Sequence, residues 1–181
     1  MNVERLALPG VLLLTPQRFI DPRGFFSETW SERRYTSLGI AGPFVQDNFA
    51  LSILAGTVRG LHMQIAPSVQ GKLVHCVMGA IWDVAVDARP GSPTYGKHAA
   101  AELTAANGAQ LWIPGGFLHG YCTLAPDTAV IYKVTADYDR AAERGVIWND
   151  PDLALPWPVA TDRAALSEKD LLLPRLRDFA P

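Results

Sequence analysis

The chain has 181 residues, a length that fits one domain spanning 1–181, and its 49% apolar and 19% charged residues exclude an intrinsically disordered protein. Sixteen Lys and Arg against eighteen Asp and Glu give a formal charge of −2, so no broad field is present to hold nucleic acid or an anionic membrane. The longest early apolar run, Val11-Leu12-Leu13-Leu14, is far shorter than the roughly 20 residues of a membrane span; no signal-peptide pattern precedes it and Cys76 and Cys122 form no disulfide framework, so a cytoplasmic setting is expected.

Helix signals are scarce. Ser31–Leu38 reads as a short helix capped by Ser31 and stopped by Gly39. Short apolar segments punctuated by Gly, Pro, Asn and Asp then read as strands at Phe44–Ser52, Val58–Gln64, Lys72–Met78, Ala80–Ala88, Ala99–Leu103, Ala109–Ile113, Gly120–Leu124 and Thr128–Ala136. Alternation is clear in Ile81–Ala88, where Trp82, Val84, Val86 and Ala88 share one face and Asp83 and Asp87 the other. Thr161–Leu166 reads as a second short helix, with Thr161 or Asp162 as its cap. The segment from Trp148 to Pro181 carries five prolines and little alternation, which predicts a tail wrapped over a β-sandwich or jelly-roll barrel.

Several strand faces carry polar residues. Gln46 and Asn48 share a face; His62 and Gln64 share another, with Arg59 at the opposite parity; Lys72 aligns with Val74, Cys76 and Met78; Tyr132 lies amid Val130 and Val134. Small barrels fill inward positions with apolar side chains, and dry burial of polar groups is unfavourable. These faces either meet solvent or line a wet pocket, and as a set they favour the pocket. His75, opposite in parity to Lys72, and His98, beside Lys97, are given structural or surface roles.

The run Leu111-Trp112-Ile113-Pro114-Gly115-Gly116-Phe117-Leu118-His119 is a strand followed by Pro-x-Gly-x-x-His, which resembles the second signature of the cupin superfamily. By the same resemblance, Gln64 of His62-Met63-Gln64 stands where metal-binding cupins carry a second histidine, and Lys72, with six residues between it and Gly79, where they carry a carboxylate. A divalent ion prefers imidazoles and carboxylates to an amide and an ammonium. No metal and no other cofactor is therefore expected.

A longer set of motifs resembles the dTDP-4-dehydrorhamnose 3,5-epimerase family. They are Asp21-Pro22-Arg23-Gly24-Phe25-Phe26-Ser27-Glu28, Phe44-Val45-Gln46-Asp47-Asn48, Arg59-Gly60-Leu61-His62-Met63-Gln64, Gln70-Gly71-Lys72-Leu73-Val74 and Asp83 to Arg89. Ile113 to Gly120, Ile131-Tyr132-Lys133, Glu143-Arg144-Gly145 and Leu166-Ser167-Glu168-Lys169-Asp170 follow in order. Met63 and Leu118 depart from the family pattern, each beside a histidine.

The resemblance implies a mainly β, cupin-type jelly roll and a metal-free epimerase that inverts the carbons flanking a ketone. His62 would be the base, Asp170 its orienting partner, Lys72 the group that stabilises the enolate, and Tyr132 the donor on the opposite face. Arg23 and Arg59 would hold the diphosphate, with Glu28, Gln46, Asn48, His119, Tyr138, Glu143 and Lys169 completing the contacts to a dTDP-linked 4-keto-6-deoxysugar. Family likeness also implies a homodimer in which an N-terminal strand crosses to the partner. The alternatives are an epimerase acting at C3 or C5 only, a sugar ketoisomerase, or a cupin that binds a sugar nucleotide without turnover.

Overall fold

The computed structural model describes residues 1–40 and 42–180. The chain order is β1 (Asn2–Arg5), β2 (Leu12–Thr15), β3 (Arg18–Asp21), β4 (Gly24–Ser27), α1 (Glu32–Thr36), β5 (Gln46–Ser52), β6 (Val58–Gln64) and β7 (Lys72–Met78). It continues with β8 (Ala80–Asp87), β9 (His98–Thr104), β10 (Gln110–Ile113), β11 (Phe117–Thr123), β12 (Thr128–Val134), β13 (Glu143–Gly145), α2 (Glu168–Leu171) and a 3-10 turn at Leu176–Asp178. The expected mainly β architecture is present, as a jelly-roll barrel. Six strands in the order β1-β2-β10-β7-β12-β5 face five in the order β13-β6-β11-β8-β9, and β3-β4 forms a separate hairpin.

Three apolar layers explain which faces are buried. Between the sheets lie Val74, Cys76, Ile81, Ala85, Leu103, Leu111, Ile113 and Val130. Outside the five-stranded sheet, Leu61, Val84, Val86, Ala88 and Leu118 pack beneath Leu153, with Trp157, Leu176 and Phe179 of the C-terminal segment against them. Outside the six-stranded sheet, Leu12, Leu14, Leu73 and Trp112 pack under Tyr35 and Ile40. This is why every residue of β11 is buried: one face looks into the barrel and the other is roofed by the tail. The apolar face of β8 lies beneath that tail, which leaves Ile81, Asp83 and Ala85 on its inner face. Leu118 likewise packs beneath the tail, away from the cavity.

Ser31 stands at the N-cap of α1 but its side chain makes no capping hydrogen bond, and two further sequence expectations are corrected. The helix forms at Glu168–Leu171, not at 161–166, and Ser167 caps it by accepting from the Asp170 amide. Around Ala165 the backbone is diverted into a bridge with Thr57, where Ala165 N donates to Gly56 O at 3.0 Å and Val58 N to Ala165 O at 2.9 Å. Tertiary hydrogen bonds there outweigh weak local helix preference. Secondly, Arg59 does not point away from His62. His119 pairs with His62 but Tyr121 pairs with Arg59, so β6 carries one more residue than β11 across that interval. The extra residue is a β-bulge, which inverts the parity of everything before it. Gly60 makes it possible: its φ is +112°, and a Cβ there would lie 2.5 Å from the His119 carbonyl oxygen.

Candidate active site

The bulge brings Arg59 and His62 of β6 to one cavity of about 450 Å3, with Lys72 of β7, His119 and Tyr121 of β11, Tyr132 of β12, and Lys169 and Asp170 of α2. A second cavity of about 320 Å3 opens beside it, lined by Gln46, Asn48, Gln64, Tyr138 and Glu143, and sharing His62, Lys72 and Tyr132. The three shared residues therefore stand at the junction of a two-lobed site.

His62 Nε2 lies 2.6 Å from Asp170 Oδ1. A carboxylate accepts, so His62 donates from Nε2, and the lone pair of the neutral ring is then the one on Nδ1. Burial raises the Asp170 pKa, but hydrogen bonds from His62 and Ser167 and the imidazole's field outweigh it, leaving the group below its ordinary value. Asp170 is thus held as an anion, and the cap that places it is part of the same short helix.

Lys72 enters from the opposite sheet, and among the described residues its Nζ donates only to the His62 carbonyl, at 3.4 Å. Burial pulls its pKa down to about 8, against the pull of Asp83 and Glu143. Burial pushes the Tyr132 phenol up, with Arg59 opposing, so it stays protonated at neutral pH. The site therefore offers a free imidazole lone pair, a buried ammonium and a phenolic donor around one space.

The second lobe is built by cross-links. Tyr138 Oη donates to Glu143 Oε2 at 2.9 Å, and Lys169 Nζ donates to the same oxygen. Gln46 Nε2 donates to Asn48 Oδ1 at 2.7 Å, while Gln46 Oε1 accepts from the Tyr138 amide at 3.1 Å. Gln64 is fully engaged: its amide donates to the Ser68 and Asp137 carbonyls at 2.7 and 3.1 Å, and its oxygen accepts from the Asp139 amide at 2.7 Å. It holds two loops at the rim, and its oxygen is already in use.

Arg23 and Glu28 lie outside both lobes. Arg23 sits in the β3–β4 turn with an 89% exposed side chain paired to Asp21 at 2.6 Å, and Glu28 pairs with Arg34 at 3.4 Å. Among the described residues the β3–β4 hairpin that carries Arg23 makes no ladder with either large sheet, and Glu28 directly follows it. His75 and His98 are half-buried away from it.

The structure adds Asp83, which sequence reasoning placed on a strand face without a role. It is fully buried, and its Oδ1 lies 2.6 Å from Nε2 of His119. Burial lowers the His119 pKa while Asp83 opposes it. The available signal was a carboxylate at an inward strand position, where an unpaired charge is unfavourable.

A jelly roll of two facing sheets, with His62, Lys72, Tyr132 and Asp170 gathered around one cavity, is the architecture of a cupin-type protein. The sequence model described as dTDP-4-dehydrorhamnose 3,5-epimerase matches residues 5–178, and the chain belongs to this family. A dTDP-4-dehydrorhamnose 3,5-epimerase of Sinorhizobium fredii is 50% identical over 97% of this chain and 90% of its own. The Bacillus anthracis dTDP-4-dehydrorhamnose 3,5-epimerase, solved with TDP and PPi bound, superposes with TM-score 0.93 at 45% identity, covering 96% of this chain and 98% of that one. The Legionella pneumophila dTDP-6-deoxy-D-glucose-3,5-epimerase, solved with dTDP-4-keto-L-rhamnose, gives 0.94 at 39% identity over 99% and 94%.

Proposed function

We propose that this protein converts dTDP-4-dehydro-6-deoxy-D-glucose to dTDP-4-dehydro-L-rhamnose by inverting C3 and C5, a step in dTDP-L-rhamnose synthesis. The observation that carries the reading is the His62–Asp170 pair at the junction of the two lobes, with Lys72 and Tyr132 on other strands around the same space.

A C–H beside a ketone is acidic because its electron pair delocalises onto oxygen. His62 Nδ1 removes the proton from C3, and the pair moves to the C4 oxygen as an enolate. Asp170 stabilises the imidazolium formed. The Lys72 ammonium lies by the developing oxyanion, a preorganised term of about 3–4 kcal/mol. Tyr132 returns a proton to the other face, which inverts the carbon. Both groups re-equilibrate with solvent and the cycle repeats at C5.

Arg59 holds the diphosphate, since a guanidinium matches phosphate oxygens in pairs. Gln46, Asn48, His119, Tyr138, Glu143 and Lys169 complete the contacts with sugar and nucleotide. Arg23 and Glu28 serve the partner's site in a homodimer. Support comes from the hairpin that carries them, which leaves Phe19, Ile20, Phe25 and Phe26 from 56% to 83% exposed, an apolar surface of the kind that marks an interface. The enzyme works in the cytoplasm, a reading supported by two buried, unpaired cysteines. Among the described residues no helix is long and apolar enough to cross a membrane.

The test is incubation with dTDP-4-dehydro-6-deoxy-D-glucose in D₂O, followed by proton NMR. Deuterium at both C3 and C5 with L-rhamno product is expected. Exchange at one carbon assigns a mono-epimerase, and binding without exchange overturns the catalytic reading.

A further inference from the structure

Arg59 belongs to the five-stranded sheet, yet what holds it belongs to the other. Its Nε donates to Ser52 Oγ at 3.2 Å and its Nη2 to the Leu51 carbonyl at 3.2 Å. Both acceptors lie at the end of β5, the edge strand of the six-stranded sheet. Ser52 is 4% exposed and fixed in register opposite Thr128 of β12. The guanidinium thus spans the gap between the sheets beside the cavity.

Which donors are used decides what remains. Ser52 and Leu51 occupy the Nε–Nη2 edge, and both N–H groups of Nη1 and the second of Nη2 are left. Those form the end-on fork, the edge that meets two oxygens of one phosphoryl group. Tyr121, the register partner of Arg59, lines the cavity beside it. Without Ser52 the long side chain regains rotamers and its other edge becomes available, so the fork is no longer presented in one orientation.

We propose that Ser52 is a positioning residue: its hydroxyl fixes the Arg59 guanidinium across the two sheets so that its free end is presented to the substrate's diphosphate. The inference rests on the diphosphate reading of Arg59 and adds to it a residue that touches no part of the substrate.

The experiment is calorimetric titration of wild type, Ser52→Ala and Ser52→Thr with dTDP and with thymidine, alongside steady-state kinetics. Loss of one net hydrogen bond corresponds to about three- to tenfold in affinity. Ser52→Ala is expected to weaken dTDP by that factor, leave thymidine unchanged, and raise KM in parallel with kcat within about twofold. Ser52→Thr is expected to restore dTDP affinity, and in an Arg59→Lys background Ser52→Ala should have no further effect. If Ser52→Ala binds dTDP as wild type does, while wild type prefers dTDP to thymidine, the inference is overturned. A parallel loss for dTDP and thymidine, with a lowered melting temperature, marks a merely structural serine and overturns it too. Equal wild-type affinities for the two ligands would instead overturn the diphosphate reading of Arg59, and this inference with it.

Discussion

Asp170 Oδ1 reaches His62 Nε2 at 2.6 Å across 108 positions of sequence, and it does so because Ser167 starts a helix one turn earlier. The pair joins the C-terminal segment to the barrel wall, so the strap that roofs the five-stranded sheet also supplies the carboxylate that pairs with His62. Asp170→Asn keeps the shape but places an amide where the imidazolium needs an anion. A fall in kcat of about 10²-fold or more with little change in KM is expected, measured by coupled turnover. A loss confined to KM would assign Asp170 to binding.

Lys72 is expected to set the alkaline limit of the proposed reaction. Burial lowers its pKa to about 8, while Asp83 and Glu143 hold it up. The charged form stabilises an oxyanion, so the alkaline limb of kcat/KM should bend near that value and fall tenfold per unit above it, with any acid limb set by loss of the neutral base. Lys72→Arg keeps its charge at all accessible pH and should flatten this limb while lowering the plateau. A wild-type profile level to about pH 10 would remove Lys72 from the oxyanion. The shift also bears on stability: between about 8 and the ordinary lysine value the unfolded chain binds the proton and the folded one does not. Lys72 therefore opposes folding at neutral pH, and this opposition fades as pH rises.

Under the proposed mechanism, removing the Tyr132 hydroxyl should separate abstraction from inversion. Burial raises its pKa, so it is a donor throughout the neutral range. Tyr132→Phe should still wash deuterium into the substrate through His62, while net epimer formation falls about 10²-fold. Equal loss of both would mean that Tyr132 shapes the site and does not deliver the proton.

Gly60 carries the geometry on which the site rests. A Cβ there meets the His119 carbonyl at 2.5 Å and the Gly120 Cα at 2.8 Å, at a φ of +112°. Gly60→Ala is expected to destabilise by about 3 kcal/mol or more, read from urea unfolding, and to lower activity beyond what the unfolded fraction explains. Unchanged stability would mean that the bulge accepts a side chain.

The strands flanking the site were legible because their alternation is strong: β8 reads its two faces directly, and β6, β7 and β12 begin within a residue of where pattern and turns place them. Arg59 was not legible by parity, since one inserted residue at the bulge turns it to the opposite face. The hairpin 18–27 escaped because four-residue strands with exposed aromatics show no buried face. The second helix moved from 161–166 to 168–171 because bonds from Gly56 and Val58, over 100 positions away, claim the backbone of Ala165. Asp83 was visible as a carboxylate among apolar neighbours, but its partner His119 comes from another strand.

In the proposed reaction one imidazole, His62, removes the protons from both carbons. The most direct measurement is deuterium incorporation at C3 and C5 in His62→Ala, beside dTDP affinity by calorimetry. Loss of exchange at both carbons with near wild-type affinity is predicted; exchange persisting at either carbon at near wild-type rate would contradict it.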